Sequence, residues 1–119
     1  IAAVNGAAIG GGLCLALACD IRVAVESARF FYPVMKLGFL PQPSDPARLV
    51  GLVGPARAKL ILMAGQKIDA AEALDWGLID RIVPEDTLAQ TARGLCADVM
   101  AASMDHVAGI KSLIRIPTR

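Results

Sequence analysis

Three consecutive glycines, Gly10-Gly11-Gly12, stand between a hydrophobic opening and an apolar run that carries Cys14 in its first turn. Glycine has no Cβ, so backbone N–H groups there can approach a ligand oxygen closely. A helix that begins at this point leaves its first amides unpaired at the positive end of its dipole. Such a turn suits a carbonyl oxygen that becomes negative during a reaction. Three side chains could add proton chemistry. Cys14, near a helix N-terminus, could have a lowered pKa and act as acid, base or nucleophile, or be an inert buried thiol. Tyr32, just before Pro33, could donate a hydrogen bond into a pocket or serve as an aromatic filler. Asp45 lies in a proline-rich loop as a candidate carboxylate, although Asp before Pro is first of all a helix cap. A phosphate-binding turn is excluded, because no Gly-Lys-Ser/Thr follows and the spacing is not that of a dinucleotide fingerprint.

The elements that must position these residues follow from pattern. Ile1 to Val4 reads as a strand ending at Asn5-Gly6, and the helix after the glycines runs to about Ala18. Asp20 to Val25 reads as a short strand, and Ala28 to Tyr32 is extended again. Val34 to Leu40 is apolar, and Val34, Met35, Leu37, Phe39 and Leu40 suggest either a wide apolar pocket or core. Pro41, Pro43 and Pro46 keep their loop irregular. Ser44 or Asp45 then caps a helix that ends at Gly54-Pro55. Ala56 to Ala64 is a helix closed by Gly65. Asp69 and Glu72 have capping-box spacing and start a short helix ending at Trp76-Gly77. Leu78 to Val83 is a strand stopped by Pro84. Glu85 to Ala102 reads as one long amphipathic helix, and Asp105 caps a last helix through Arg115. The alternation of strands and helices is α/β.

The chain has 119 residues, 55% hydrophobic and 19% charged, with a formal net charge of +1. That balance argues against nucleic acid or an anionic membrane as partner. An aromatic content of 4% leaves little for base stacking. Three cysteines without CxxC spacing read as buried thiols in a reducing cytosol, so the expected location is cytoplasmic. Residues 1 to 19 hold no charge, but Asn5 and the glycines interrupt a continuous helix, and no basic start precedes Ala16-Leu17-Ala18 as a signal peptide requires. His106 is alone and carries no metal or catalytic signal. Arg57, Lys59 and Lys67 read as solvated faces, and Trp76 as packing. Both ends read as cut, which suggests a fragment of a larger protein.

The ordered series Ile1-Ala2-Ala3-Val4-Asn5-Gly6, Gly10-Gly11-Gly12, Cys19-Asp20 and Ala28-Arg29-Phe30 resembles the crotonase (enoyl-CoA hydratase/isomerase) superfamily. Leu37-Gly38, Pro41, Arg48-Leu49, Gly65-Gln66-Lys67-Ile68, Ala70-Ala71-Glu72-Ala73 and Trp76 through Pro84 continue the resemblance over nearly the whole chain. It implies a ββα spiral over residues 1–84 and the start of a helical trimerisation region over 85–119, in a protein assembling as a homo-trimer or hexamer. It implies an acyl-CoA thioester substrate, fatty acid metabolism, and no cofactor beyond the coenzyme A of the substrate.

By the same resemblance Gly11 is the first of two backbone donors to the thioester oxygen, and the second lies upstream with much of the coenzyme A pocket. Gly10, Gly12, Val34, Leu40, Pro41 and Gln42 fall where substrate is bound, and the Gln42 amide could reach a substrate carbonyl. The family's hydratases add water with two glutamates. Cys14 and Val34 stand in their places, so both usual acid/base groups are replaced. The expected activity is that of a lyase or isomerase acting through an enolate. A family decarboxylase, or a catalytically silent acyl-CoA-binding or assembly subunit, is the alternative.

Overall fold

A computed structural model describes residues 1–114. Strands β1 (Ala2–Val4), β2 (Ala7–Ile9), β3 (Arg22–Ala24) and β4 (Arg29–Phe31) come as two consecutive pairs, with helix α1 (Gly11–Ala18) between them. Each pair turns a corner, at Asn5-Gly6 and at Val25–Ala28, and thereby passes from one sheet to the other. β1 lies parallel to β3 with Ala2 opposite Arg22, and β2 lies parallel to β4 with Ala7 opposite Arg29. The corners are themselves bonded, Val25 N–H to the Val4 carbonyl at 3.1 Å and Arg29 N–H to the Gly6 carbonyl at 3.3 Å. Repeating strand, corner, strand, helix in register winds the chain into a spiral of ββα steps.

Two short strands finish the sheets. β5 (Ile68–Asp69) adds antiparallel to β4, and β6 (Arg81–Ile82) adds parallel to β3. Helices α2 (Val34–Leu37), α3 (Asp45–Val53), α4 (Pro55–Leu62) and α5 (Ala70–Trp76) lie between β4 and β6. Leu13, Ala16 and Leu17 give α1 one buried stripe at helical spacing. Leu13 and Leu17 join Val23, Phe30, Leu49, Ile61, Ile68, Leu78 and Ile79 in a single core.

Arg22 is buried beside this core. Its Nε donates to the Leu78 carbonyl at 2.8 Å, and its Nη1 to the carbonyls of Ala16 and Cys19 at 3.2 and 2.6 Å. Its backbone N–H donates to Asp80 Oδ2 at 2.9 Å. The guanidinium thus takes up carbonyls at the end of α1, where a cation also complements the dipole.

Several expectations are corrected. Ala7–Ile9, which the sequence pattern leaves without an element, is a strand, since its pairing partner Arg29–Phe31 is distant in sequence. Val34–Leu37 is a single helical turn closed by Gly38 at φ +77°. The helix expected over Glu85 to Ala102 is divided into a 3-10 turn (Glu85–Thr87), α6 (Leu88–Leu95) and α7 (Ala97–Ala101). Gly94 weakens the helix just before the break, and the Cys96 amide bonds the nearer Arg93 and Gly94 carbonyls. Helix α8 (Met104–Ile114) starts from Ser103, whose Oγ accepts the His106 N–H at 3.2 Å, and not from Asp105. The expected continuation to Arg115 lies outside the described residues. No helix among the described residues is long and apolar enough to cross a membrane.

Candidate functional site

The glycine turn is built by Gly10, at φ 52° and ψ −111°, which only glycine adopts readily. Its N–H donates to the Phe31 carbonyl at 3.0 Å, so the turn is fastened to the end of β4. Its carbonyl accepts the Cys14 N–H at 2.9 Å and closes the first turn of α1. Gly11 and Gly12 are the first two residues of that helix, and both are exposed. Among the described residues no carbonyl or side chain accepts either N–H. The turn therefore presents free backbone donors at a helix N-terminus.

Because the turn is bonded to Phe31, the next residue, Tyr32, falls directly beneath it. Asp45 arrives from the other side. The Asp45 N–H bonds the Gln42 carbonyl at 2.9 Å, which turns the proline-rich loop and aims the first residue of α3 inward. Cys14 Sγ donates to Asp45 Oδ2 at 2.8 Å, the Tyr32 hydroxyl donates to the same oxygen at 2.7 Å, and Cys14 Sγ lies 3.0 Å from the Tyr32 hydroxyl. The Gln42 backbone N–H donates to the Tyr32 oxygen at 3.2 Å. Tyr32 and Asp45 are 4% and 1% exposed, while Cys14 is half-buried. The three candidate side chains thus form one hydrogen-bonded triangle.

This geometry corrects two sequence expectations. Asp45 is not a helix cap, since Ser44 occupies that position and no side chain there caps α3. Arg48 Nη1 stands 3.9 Å from its other oxygen, Oδ1, and 3.2 Å from Ser44 Oγ. The Cys14 thiol is raised, not lowered, from its ordinary 9.0. Burial is the largest cause, and the hydrogen bond to the Asp45 carboxylate adds to it, which together outweigh the lowering hydrogen bond with Tyr32. Burial, then the bonds with Cys14 and Asp45, also push the Tyr32 hydroxyl well above its ordinary 10.0. Both groups hold their protons at neutral pH.

The remaining candidates divide. Val34 is half-buried and packs against the core at the start of α2, and Pro41 is half-buried. Leu40 is 92% exposed, and Met35, Leu37 and Phe39 are also open, so this stretch forms an apolar surface rather than an enclosed pocket. The Gln42 side chain is exposed, and its backbone does the bonding. A cleft of about 1060 Å³ lies elsewhere, between Ile1, Cys96, Val99 and the α8 residues His106 and Ile110. Arg48 and the Gln42 amide are site features that no local signal announces, because only the folding of the loop onto Tyr32 brings them there.

Comparison with known proteins places this architecture. The profile of the enoyl-CoA hydratase/isomerase family matches residues 1–119. Carnitinyl-CoA dehydratase of Citrobacter koseri is 41% identical over 115 residues, covering 97% of this chain and 44% of that protein. The Salmonella typhi protein of the same name is 40% identical over the same share. An enoyl-CoA hydratase from Mycobacterium avium superposes with a TM-score of 0.83 at 39% identity, over 91% of this chain and 48% of its own. A putative enoyl-CoA hydratase from Thermobifida fusca YX, solved in complex with CoA, gives a TM-score of 0.87 at 36% identity, over 94% and 44%. The chain spans about 44% of the length of the curated relatives it matches.

Proposed function

This chain belongs to the enoyl-CoA hydratase/isomerase family, the crotonase superfamily, and we propose that it is part of an enzyme acting on an acyl-CoA thioester through an enolate. The observation that carries this reading is the pair of free, exposed amides at Gly11 and Gly12, one helical turn from Cys14. The Gly11 N–H holds the thioester oxygen and meets the negative charge as it develops there, at the positive end of α1. The names of the relatives and the CoA complex of the Thermobifida fusca protein support a thioester substrate. Gly10 and Gly12 shape the turn, while Val34, Leu40, Pro41 and Gln42 border the acyl chain. Residues 1–84 supply the spiral, and the helices between residues 85 and 114 begin the assembly region of a homo-trimer or hexamer. Met100, Met104, Leu113 and Ile114, all exposed, are the apolar side chains these helices offer to such an assembly.

Water addition is disfavoured by Cys14 and Val34, neither of which is a carboxylate. Double-bond isomerisation and decarboxylation need the oxyanion donor but not two glutamates, so the reaction is one of these lyase or isomerase types. A silent acyl-CoA-binding subunit is the second reading, favoured by Val34 packing apolar against the core. The deciding experiment follows the conjugated absorbance of a short 2-enoyl-CoA on mixing with the full-length protein, beside an acyl-CoA titration. Binding without loss of conjugation supports isomerisation, decarboxylation or the silent subunit. Loss of absorbance that Gly11→Pro abolishes restores hydration. No binding of any acyl-CoA overturns the proposal.

A further inference from the structure

The triangle beneath the glycine turn is ordered by exposure. Asp45 and Tyr32 are sealed from solvent, and only Cys14 reaches the surface. Cys14 follows Gly11 by three residues, the spacing that places two positions on one face of a helix. A ligand held at the Gly11 amide therefore meets Cys14 before either partner. We infer that Cys14 is the catalytic residue that exchanges a proton with C2 of the bound thioester, and that Tyr32 and Asp45 are the positioning residues that aim it. This role depends on the thioester oxygen sitting at Gly11, as proposed above.

Counting hydrogens supports the assignment. The thiol and the phenol bring one hydrogen each, and both are directed at Asp45 Oδ2. Asp45 Oδ2 accepts from both. The Tyr32 oxygen is occupied by the Gln42 N–H, which fixes the phenol so that its hydrogen goes to Asp45. The resting site is thus a protonated thiol held in place by a buried acceptor. In the forward step the enolate electron pair forms the C2–H bond with the thiol hydrogen, the S–H bond breaks, and its pair remains on sulfur as thiolate. The charge on the thioester oxygen collapses into the carbonyl, and the thiolate regains a proton from water. In reverse, the thiolate takes the C2 proton and the C–H pair becomes the enolate.

The groups facing Cys14 set how readily it gives up its proton. α1 contributes no other titratable side chain, since its residues are Gly-Gly-Leu-Cys-Leu-Ala-Leu-Ala. Tyr32 follows β4, and Asp45 and Arg48 come from α3, with Arg48 on the far oxygen of the carboxylate. Asp45 opposes the thiolate by charge and by its hydrogen bond, whereas the Tyr32 hydroxyl favours it. Removing each partner therefore moves the thiol in opposite directions.

The test is solvent-deuterium exchange at C2 of butyryl-CoA, read by proton NMR on the full-length protein from about pH 7 to 10, with a butyryl-CoA titration alongside. The exchange rate rises with pH and does not level off by about pH 9, because the thiol titrates above its ordinary value. Cys14→Ser lowers exchange about 100-fold or more while butyryl-CoA affinity stays within about twofold. Asp45→Asn moves the rising limb to lower pH, and Tyr32→Phe moves it to higher pH. Alkylation of Cys14 by iodoacetamide against pH, with Cys19 and Cys96 changed to Ser, reads the same midpoint without turnover. Exchange by Cys14→Ser at the parent rate, binding without exchange in the parent, or a thiol midpoint unmoved in both Tyr32→Phe and Asp45→Asn overturns the inference and leaves the acyl-CoA reading standing. Absence of binding instead removes that reading.

Discussion

Helices α1 and α5 are nearly equal in length, eight and seven residues, and they begin in opposite ways. α5 completes itself. The Asp69 side chain accepts the Glu72 N–H at 2.8 Å, and Gly77 in the left-handed region closes the other end onto Ala73 and Leu74. α1 has no side-chain cap, starts from a glycine at φ 52°, and leaves its first amides bare. α5 satisfies an orphan donor locally. α3 also lacks a side-chain cap, so what sets α1 apart is that its bare amides belong to exposed glycines next to the Cys14–Tyr32–Asp45 triangle.

The sharpest way to break this contrast is Gly11→Pro. Proline is tolerated at the first helical position, so the substitution removes the N–H and little else. Turnover measured on an acyl-CoA substrate should fall by about 10²–10³-fold, or about 3–4 kcal/mol, with the denaturant midpoint almost unchanged. Gly77→Ala should act in the opposite sense. The residue sits at φ +84°, and an added Cβ would meet the Leu52 carbonyl oxygen at 2.9 Å. Urea unfolding should show a loss of about 2–3 kcal/mol, while C2 exchange in the folded protein is retained. Gly10→Ala, with open space around its Cβ, should cost less, about 1–2 kcal/mol.

Asp69→Ala should cost about 1 kcal/mol by the same unfolding measurement, with no change in acyl-CoA binding. The smallest effect concerns pH. Cys14 and Tyr32 titrate higher in the folded chain than in the unfolded one, so the folded state binds more protons at alkaline pH. Their contribution is fully present below the ordinary thiol value of 9.0 and is lost as pH rises through the raised values. Thermal melts should therefore fall above about pH 9 in the parent and fall less in Tyr32→Phe, which has one of the two groups removed.

The same contrast explains what the sequence discloses. The ends of α5 are legible because Asp69, Glu72 and Gly77 act within four residues of the backbone groups they satisfy. The glycine turn is legible for the same reason. Ala7–Ile9 is not, since three small or apolar residues become a strand only when Arg29–Phe31 lies beside them. Asp45 misleads because its neighbour Pro46 advertises a helix start, while its partners Cys14 and Tyr32 are 31 and 13 residues away. The thiol shift is hidden likewise. A helix N-terminus argues for a lower value, and only the folded contact reveals the burial and the carboxylate that reverse it. Residues 35–40 mislead by composition, because an apolar run reads as a pocket or core whether or not anything covers it.

Arg22 gives the far end of α1 a different character from its start. Its one guanidinium takes carbonyls from Ala16 and Cys19 on one side and Leu78 on the other, and its own amide holds Asp80. Loosening either side leaves a buried guanidinium N–H without its acceptor, so fraying of one segment carries a cost set by the other. The end of α1 and residues 78–80 are thereby tied together, and their amide protons should exchange with solvent through a shared opening. The glycine turn is thus the open mouth of a helix whose heel is clamped to a segment some sixty residues further along the chain.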